Sequence, residues 1–293
     1  MFDKRFIFIF SSLFFLANKA FATLEPEFLS GGELVTTNPY LVSIKLSASP
    51  VCSGAIIDDQ FILTAAHCFI NRNGRFINSP FKIVAACVDL NDTKDGIEID
   101  VEKIYALKAF AANSYVNDIA VLKLKSGLSL GSDFPLTKVD LPTSDESYVD
   151  QTAVIGGFGW NDIKVVVHPL TNRKYSFGGG PSDNKLRFAK ARLLPKSECE
   201  QITRPYKLVD SQFCAKIIER NATLPGRTCL GDSGGPLVML NTVIGILSTG
   251  PGGCDEHNEA SKYTKVFSFS KFIENAKNDI INDEIRVQTC PNR

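Results

Sequence analysis

Short apolar or alternating runs recur along this chain, each closed off by Gly, Pro, Asn or Asp: Tyr40 to Leu46, Ala55 to Leu63, Phe81 to Val88, Ile119 to Leu124, Ala153 to Ile155 and Val243 to Leu247. Their length and punctuation predict strands. Helical spacing is rare, and its best instance is Phe267, Phe269, Phe272, Ile273, Ala276 and Ile280, just ahead of a polar tail at 282–293. The class is therefore mainly β with a C-terminal helix. A chain of 293 residues is large for one sandwich and suits two β-barrels packed together. No Ser/Pro-rich linker and no internal repeat divides it. The least patterned stretch, Asn161 to Lys185 with Gly178-Gly179-Gly180-Pro181, reads as a long surface loop.

Composition adds exclusions. Lys plus Arg number 32 against 32 Asp plus Glu, with 44% hydrophobic residues, a globular balance without the basic surplus of a nucleic-acid binder. The N-terminus departs from the rest. Lys4 and Arg5 precede an apolar stretch, Phe6 to Ala17, and Ala20-Phe21-Ala22 offers the small-x-small site that signal peptidases accept. The expectation is a leader over residues 1–22 and a secreted protein, extracellular or periplasmic. A membrane anchor is disfavoured, because a spanning helix needs about 20 apolar residues, and no later segment is apolar enough. Export into an oxidising compartment makes it natural to read most of the 8 cysteines as disulfides, although spacing alone does not choose the pairing.

Candidate chemistry begins at Gly231-Asp232-Ser233-Gly234-Gly235-Pro236. A serine hydroxyl becomes a useful nucleophile when a base takes its proton, and glycines beside it let backbone N–H groups approach a developing oxyanion. Alone, such a segment is more often a plain turn. The chain also carries Thr64-Ala65-Ala66-His67-Cys68 upstream and Asn117-Asp118-Ile119-Ala120-Val121-Leu122 between the two, in the order His, Asp, Ser. Singly, His67 would read as a buried structural histidine and Asp118 as a turn residue. Together the three motifs resemble the trypsin/chymotrypsin-like serine proteases, from about Gly31 to the terminal helix. An α/β-hydrolase esterase would place the nucleophile before the acid and the histidine last, which this order excludes.

The resemblance implies two packed six-stranded antiparallel β-barrels and a protease domain over 29–281 after a short propeptide at 23–28. It implies Ser233 as nucleophile, His67 as general base and then acid, Asp118 as the carboxylate that fixes the imidazole tautomer, and the N–H groups of Gly231 and Ser233 as the oxyanion hole. It also implies disulfides Cys52–Cys68, Cys199–Cys214 and Cys229–Cys254. A further bridge common in the family would join positions near Ala153 and Met239, and both cysteines are absent here. Cys87 and Cys290 are left over; paired by elimination, they would fasten the tail to the first barrel, the alternatives being free thiols or an intermolecular bridge.

Two departures bear on function. Trypsin-like members place an aspartate six residues before the nucleophile, at the base of the primary pocket, and here that residue is Arg227. A guanidinium repels Lys and Arg and pairs with carboxylates, so one reading is a preference for Glu or Asp at the cleaved position. The other turns Arg227 to solvent or pairs it with Asp255 or Glu256. Ser248, Thr249 and Gly250 would form the pocket wall, with Ser261 leaving the pocket open. The second departure is activation: the resemblance implies a zymogen whose new N-terminus, here Leu29, pairs with Asp232. The preceding residues are Glu25-Pro26-Glu27-Phe28, so no Lys or Arg marks a tryptic cut.

A zinc reading of His67 with Cys52 and Cys68 lacks a second ligand pair, and Asp89, Asp92, Asp95 and Glu98 read better as a solvated acidic turn than as a calcium loop. His168 and His257 read as loop residues, and Asn91 and Asn221 begin glycosylation sequons. The expectation is a secreted serine endopeptidase acting on proteins or peptides, open to protein inhibitors, with no cofactor, metal, nucleic acid or membrane anchor. The alternative is a catalytically silent homologue acting as a binding protein.

Overall fold

Alternation along the N-terminal half produces strands with one apolar face, and an alternating face is buried most completely by closing the sheet on itself. The computed structural model describes residues 33–34, 37, 39–92, 94, 96–131, 133–159, 163–167, 174–178, 183–202, 207–218, 228–250 and 260–291. After β1 (Glu33–Leu34) come β2 (Leu41–Leu46), β3 (Ser49–Asp58), β4 (Phe61–Thr64), β5 (Phe81–Ala85), β6 (Ile97–Leu107) and β7 (Ala120–Leu124). These last six pair antiparallel in the order β6-β5-β2-β3-β4-β7, and β6 closes on β7. Val42, Ile44, Ile62, Leu63, Ile83, Ile104 and Leu122 fill the barrel with no exposure. The run Ala55 to Leu63 breaks into two strands, because the polar Asp59-Gln60 turn folds it into a hairpin.

The second barrel is built from β8 (Thr152–Gly157), β11 (Arg187–Leu193), β12 (Gln212–Ile217), β13 (Pro236–Met239), β14 (Thr242–Thr249) and β15 (Ser261–Lys265). They pair antiparallel in the order β11-β12-β15-β14-β13-β8, and β8 returns to β11. The main chain of β1 adds to β11. Strand β14 explains why Val243 to Leu247 is an unbroken apolar run: Ile244 and Leu247 belong to the second barrel's core, while Val243 and Ile246 join the first barrel's. The two barrels also meet through Leu41, Val84, Cys87, Leu90, Phe158 and Leu186.

Three elements differ from expectation. Within the stretch expected as a loop, β9 (Ile163–Val167) and β10 (Lys174–Gly178) form an antiparallel ribbon. The C-terminal periodicity splits into a 3-10 turn, Val266–Phe269, and a helix, Ser270–Lys277, which buries Phe272, Ile273 and Ala276. The helix stops before Ile280, which is half exposed. Beyond it the polar tail contains a strand, β16 (Ile285–Thr289), paired antiparallel with Lys103–Leu107 of β6. α1 (Lys196–Ile202) completes the regular elements among the described residues.

The cysteines follow the expected pairing in two places, Cys52–Cys68 and Cys199–Cys214. Cys229 is disulfide-bonded, and Cys254 lies outside the described residues. The pairing of Cys87 with Cys290 is corrected: each keeps a buried thiol. Cys87 lies among the residues that join the two barrels and donates to the Asp89 carbonyl at 2.9 Å, whereas Cys290 packs in the first barrel's core. The tail is fastened to the first barrel by strand pairing instead. Leu29, Arg227, Asp255, Glu256, His168 and His257, with the expected leader and propeptide, lie outside the described residues, and among those described no helix is long and apolar enough to cross a membrane.

Candidate active site

Strand β4 ends at Thr64, and the 3-10 turn Ala66–Cys68 follows it, pinned by the Cys52–Cys68 bridge to β3. That turn presents His67 beside the segment that leads into β7, where Asp118 is fully buried. Both carboxylate oxygens of Asp118 accept hydrogen bonds from His67: Oδ1 from its backbone N–H at 2.9 Å and Oδ2 from ring Nδ1–H at 2.7 Å. Bidentate acceptance of this kind fixes the imidazole's orientation and tautomer, leaving the ring proton off Nε2 in the neutral form. Burial works against the imidazolium, but the Asp118 charge and hydrogen bond outweigh it and hold the His67 pKa above its ordinary value.

Two hydroxyls from the second barrel complete the seat of Asp118. Ser248 Oγ donates to Oδ2 at 2.6 Å, and Thr264 Oγ1 donates to the Asp118 carbonyl at 2.9 Å. Ser248, expected in the pocket wall, thus directs its side chain to the carboxylate, and Thr264 escaped sequence reasoning: β15, Ser261-Lys262-Tyr263-Thr264-Lys265, is largely polar and offers no motif around it. Tyr115 was also missed. Its ring stands edge-on to His67, centroids 5.5 Å apart, on a loop where Tyr115 and Asn117 take positive φ of 57° and 60°. Such conformations cost about 1–3 kcal/mol each and persist where surrounding bonds hold them. Here Tyr115 N–H donates to the Ala111 carbonyl at 2.7 Å, Asn117 Nδ2 to Ala109 O at 3.0 Å, and Gln212 Nε2 to Tyr115 O at 3.1 Å.

Ser233 lies on the turn before β13. Its carbonyl accepts from Ser53 N–H at 2.8 Å and lies 4.0 Å from Cys68 Sγ, which sets the turn against the His67 segment. The N–H groups of Asp232, Gly234 and Gly235 donate to the carbonyls of Cys229, Leu247 and Asp232. Those of Gly231 and Ser233 have no acceptor among the described residues. Ser53 Oγ holds the Gly231 carbonyl at 2.9 Å, and Gly231 takes φ +99°, a conformation that favours glycine.

Asp232 points inward, fully buried, with Oδ1 accepting from Gly159 N–H at 2.8 Å and Oδ2 from Cys229 N–H at 2.9 Å. Burial pushes its pKa up to about 7, against these amides and the nearby Arg187 charge, which lower it. Ser261, expected in the pocket, has its Oγ buried and 2.7 Å from the buried Thr228 Oγ1, and a Cβ at Gly250, also expected there, would come 2.9 Å from Thr228 Oγ1. The Thr249 hydroxyl is shielded and without a hydrogen-bond partner among the described residues. Of the acidic turn, Glu98 pairs with Lys82 at 2.7 Å and Lys45 at 3.5 Å, and Asp89 accepts from the Asn91 N–H at 2.9 Å, while Asp95 lies outside the described residues. The cluster of Cys52, His67 and Cys68 has both sulfurs tied in one disulfide.

Comparison with known proteins places this geometry in context. A family model described as Trypsin matches residues 31–273. Trypsin of Sus scrofa is 30% identical over 259 residues, covering 87% of this chain and 97% of the relative. Kallikrein-7 of Homo sapiens is 28% identical over 239 residues, 81% of each. Among solved structures, mouse neuropsin, described as a serine protease, superposes with a TM-score of 0.66 at 23% identity, covering 84% of this chain and 98% of that one, and so shares the fold.

Proposed function

The chain belongs to the trypsin family of serine endopeptidases, and from that membership we propose that it hydrolyses peptide bonds through Ser233, His67 and Asp118. Ser233 Oγ attacks the scissile carbonyl while His67 Nε2 takes its proton, and the N–H groups of Gly231 and Ser233 receive the oxyanion. The leaving amine takes the proton back from His67. Water then enters, activated by the same imidazole, and releases the acyl group from Ser233. Asp118, held by Ser248 and Thr264, keeps Nδ1 protonated and stabilises the imidazolium that forms. The observation that carries this reading is the 2.7 Å His67–Asp118 pair beside a serine turn whose Gly231 and Ser233 amides have no acceptor among the described residues.

The finer reading is a secreted enzyme, exported by the leader at 1–22, with Arg227 at the pocket base favouring Glu or Asp at the cleaved residue. Its support is the sequence: a cation replaces the family's aspartate at that position. A positional-scanning peptide library tests both levels. Cleavage after Glu or Asp, moved toward Lys and Arg by Arg227→Asp, supports the pocket assignment; cleavage after large apolar residues places Arg227 outside the pocket. No cleavage of any peptide by folded, processed protein favours a silent homologue.

A further inference from the structure

Arg187 is fully buried on β11, an uncommon place for a guanidinium and one that calls for carboxylate partners. Its Cα is the cross-strand partner of Gly157 on β8, so the side chains of the two positions fall on one face of the sheet, about 5 Å apart at Cβ. Gly157 has no side chain, and the Asp232 carboxylate occupies that space: a Cβ there would come 2.0 Å from Asp232 Oδ1. Arg187 and Asp232 are thus neighbours across one glycine, both without exposure. The guanidinium is aimed by Asp183, whose two oxygens accept from it at 3.1 and 2.9 Å, and by the Lys185 carbonyl at 3.2 Å. Asp183 is partly exposed, and the buried guanidinium charge also reaches Asp232, whose pKa it lowers. Among the described residues, the fully buried Tyr263 hydroxyl on β15 also faces Asp232, and burial and the Asp232 charge both raise its pKa.

Cleavage would deliver an ammonium to Asp232 in the family-based expectation, and the junction before Leu29 lacks a basic residue. We propose that Arg187 is a built-in countercharge for Asp232, a positioning residue that holds the 231–233 turn in its amide-donating shape, so that the uncleaved chain already has a reactive Ser233. This rests on the reading of Ser233 as nucleophile and Asp232 as anchor of its turn.

The test compares two forms of the full chain, N-termini verified by sequencing: one processed, one kept intact by Phe28→Pro with Leu29→Pro. The readout is the rate of Ser233 labelling by a fluorophosphonate as a function of pH. The intact form should label, Arg187→Gln should slow it about ten-fold or more and move the acid-side midpoint up by about one pH unit, and Arg187→Lys should restore both. The sign follows from Asp232: removing a neighbouring cation raises its pKa, so a higher pH is needed to ionise it. In the processed form the new ammonium shares the task, so Arg187→Gln should matter much less. If Arg187→Gln fails to fold, Arg187→Met with Asp183→Asn replaces the charge pair by neutral groups, folding being followed by thermal melt, and should show the same selective loss in the intact form. An intact form that never labels beside a processed form that does overturns the proposal, as does an equal effect of Arg187→Gln on both forms, which marks a merely structural role. Labelling of neither form removes the nucleophile reading itself.

Discussion

Three hydrogen bonds converge on the Asp118 carboxylate and a fourth on its carbonyl, and the consequences are readable one side chain at a time. In the proposed mechanism catalysis requires neutral His67, whose pKa is raised, so activity should be lost as pH falls through that pKa. Asp118→Asn removes the charge that raises it. The acid-side midpoint of kcat/KM should move down, and kcat should fall by about three to four orders of magnitude, a scale set by the same residue in this family. An unmoved midpoint would separate Asp118 from His67. Ser248→Ala deletes one charge-assisted hydrogen bond, worth about 1.5–3 kcal/mol, and should lower kcat about ten- to a hundred-fold with an unchanged melt. His67, Asp118 and the glycine turn around Ser233 were legible because each sits in a motif of distinctive composition. Ser248 and Thr264 were not, because a hydroxyl at the end of an apolar run, or within the polar strand Ser261–Lys265, carries no mark of what it bonds. Ser261, expected in the pocket, pairs with Thr228, a contact that no one-dimensional spacing announces.

Strands buried on one face were visible as alternation, and β14, buried on both sides, as an unbroken apolar run. The ribbon of β9 and β10 was hidden by the glycines around it, and β16 by its own composition. Ile285-Arg286-Val287-Gln288-Thr289 does alternate, but as an edge strand it buries only Ile285 fully, and its neighbours are polar. Its anchoring is nonetheless specific: Ile285 is 2% exposed, Lys108 N–H donates to Glu284 O at 2.8 Å, and Tyr105 Oη donates to Asp279 at 2.6 Å. Ile285→Ala should therefore lower unfolding free energy by about 2–5 kcal/mol, seen as a lower denaturant midpoint at unchanged slope, while the processed enzyme keeps its turnover at low denaturant. A midpoint unchanged within error would show that the C-terminal strand contributes nothing to the barrel.

Across the whole molecule, each barrel supplies part of the site: His67 and Asp118 come from the first, Ser233, Ser248 and Thr264 from the second. Covalent ties act at the same scale. Cys52–Cys68 and Cys199–Cys214 join residues 16 and 15 positions apart, and bridges over such loops contribute about 2–4 kcal/mol each. Reductant should lower the melting temperature and abolish activity together. Mass mapping with alkylation under denaturing, non-reducing conditions should find both bridges intact and modify Cys87 and Cys290; a Cys87–Cys290 bridge would contradict the structure.

The most direct measurement of the central claim is peptide turnover by wild type and Ser233→Ala, each processed to the same N-terminus and melting at the same temperature. The account predicts measurable hydrolysis by wild type and a loss of several orders of magnitude in the variant, because only the attacking hydroxyl has been removed. Equal turnover by the two proteins, or none by a folded wild type, would contradict it.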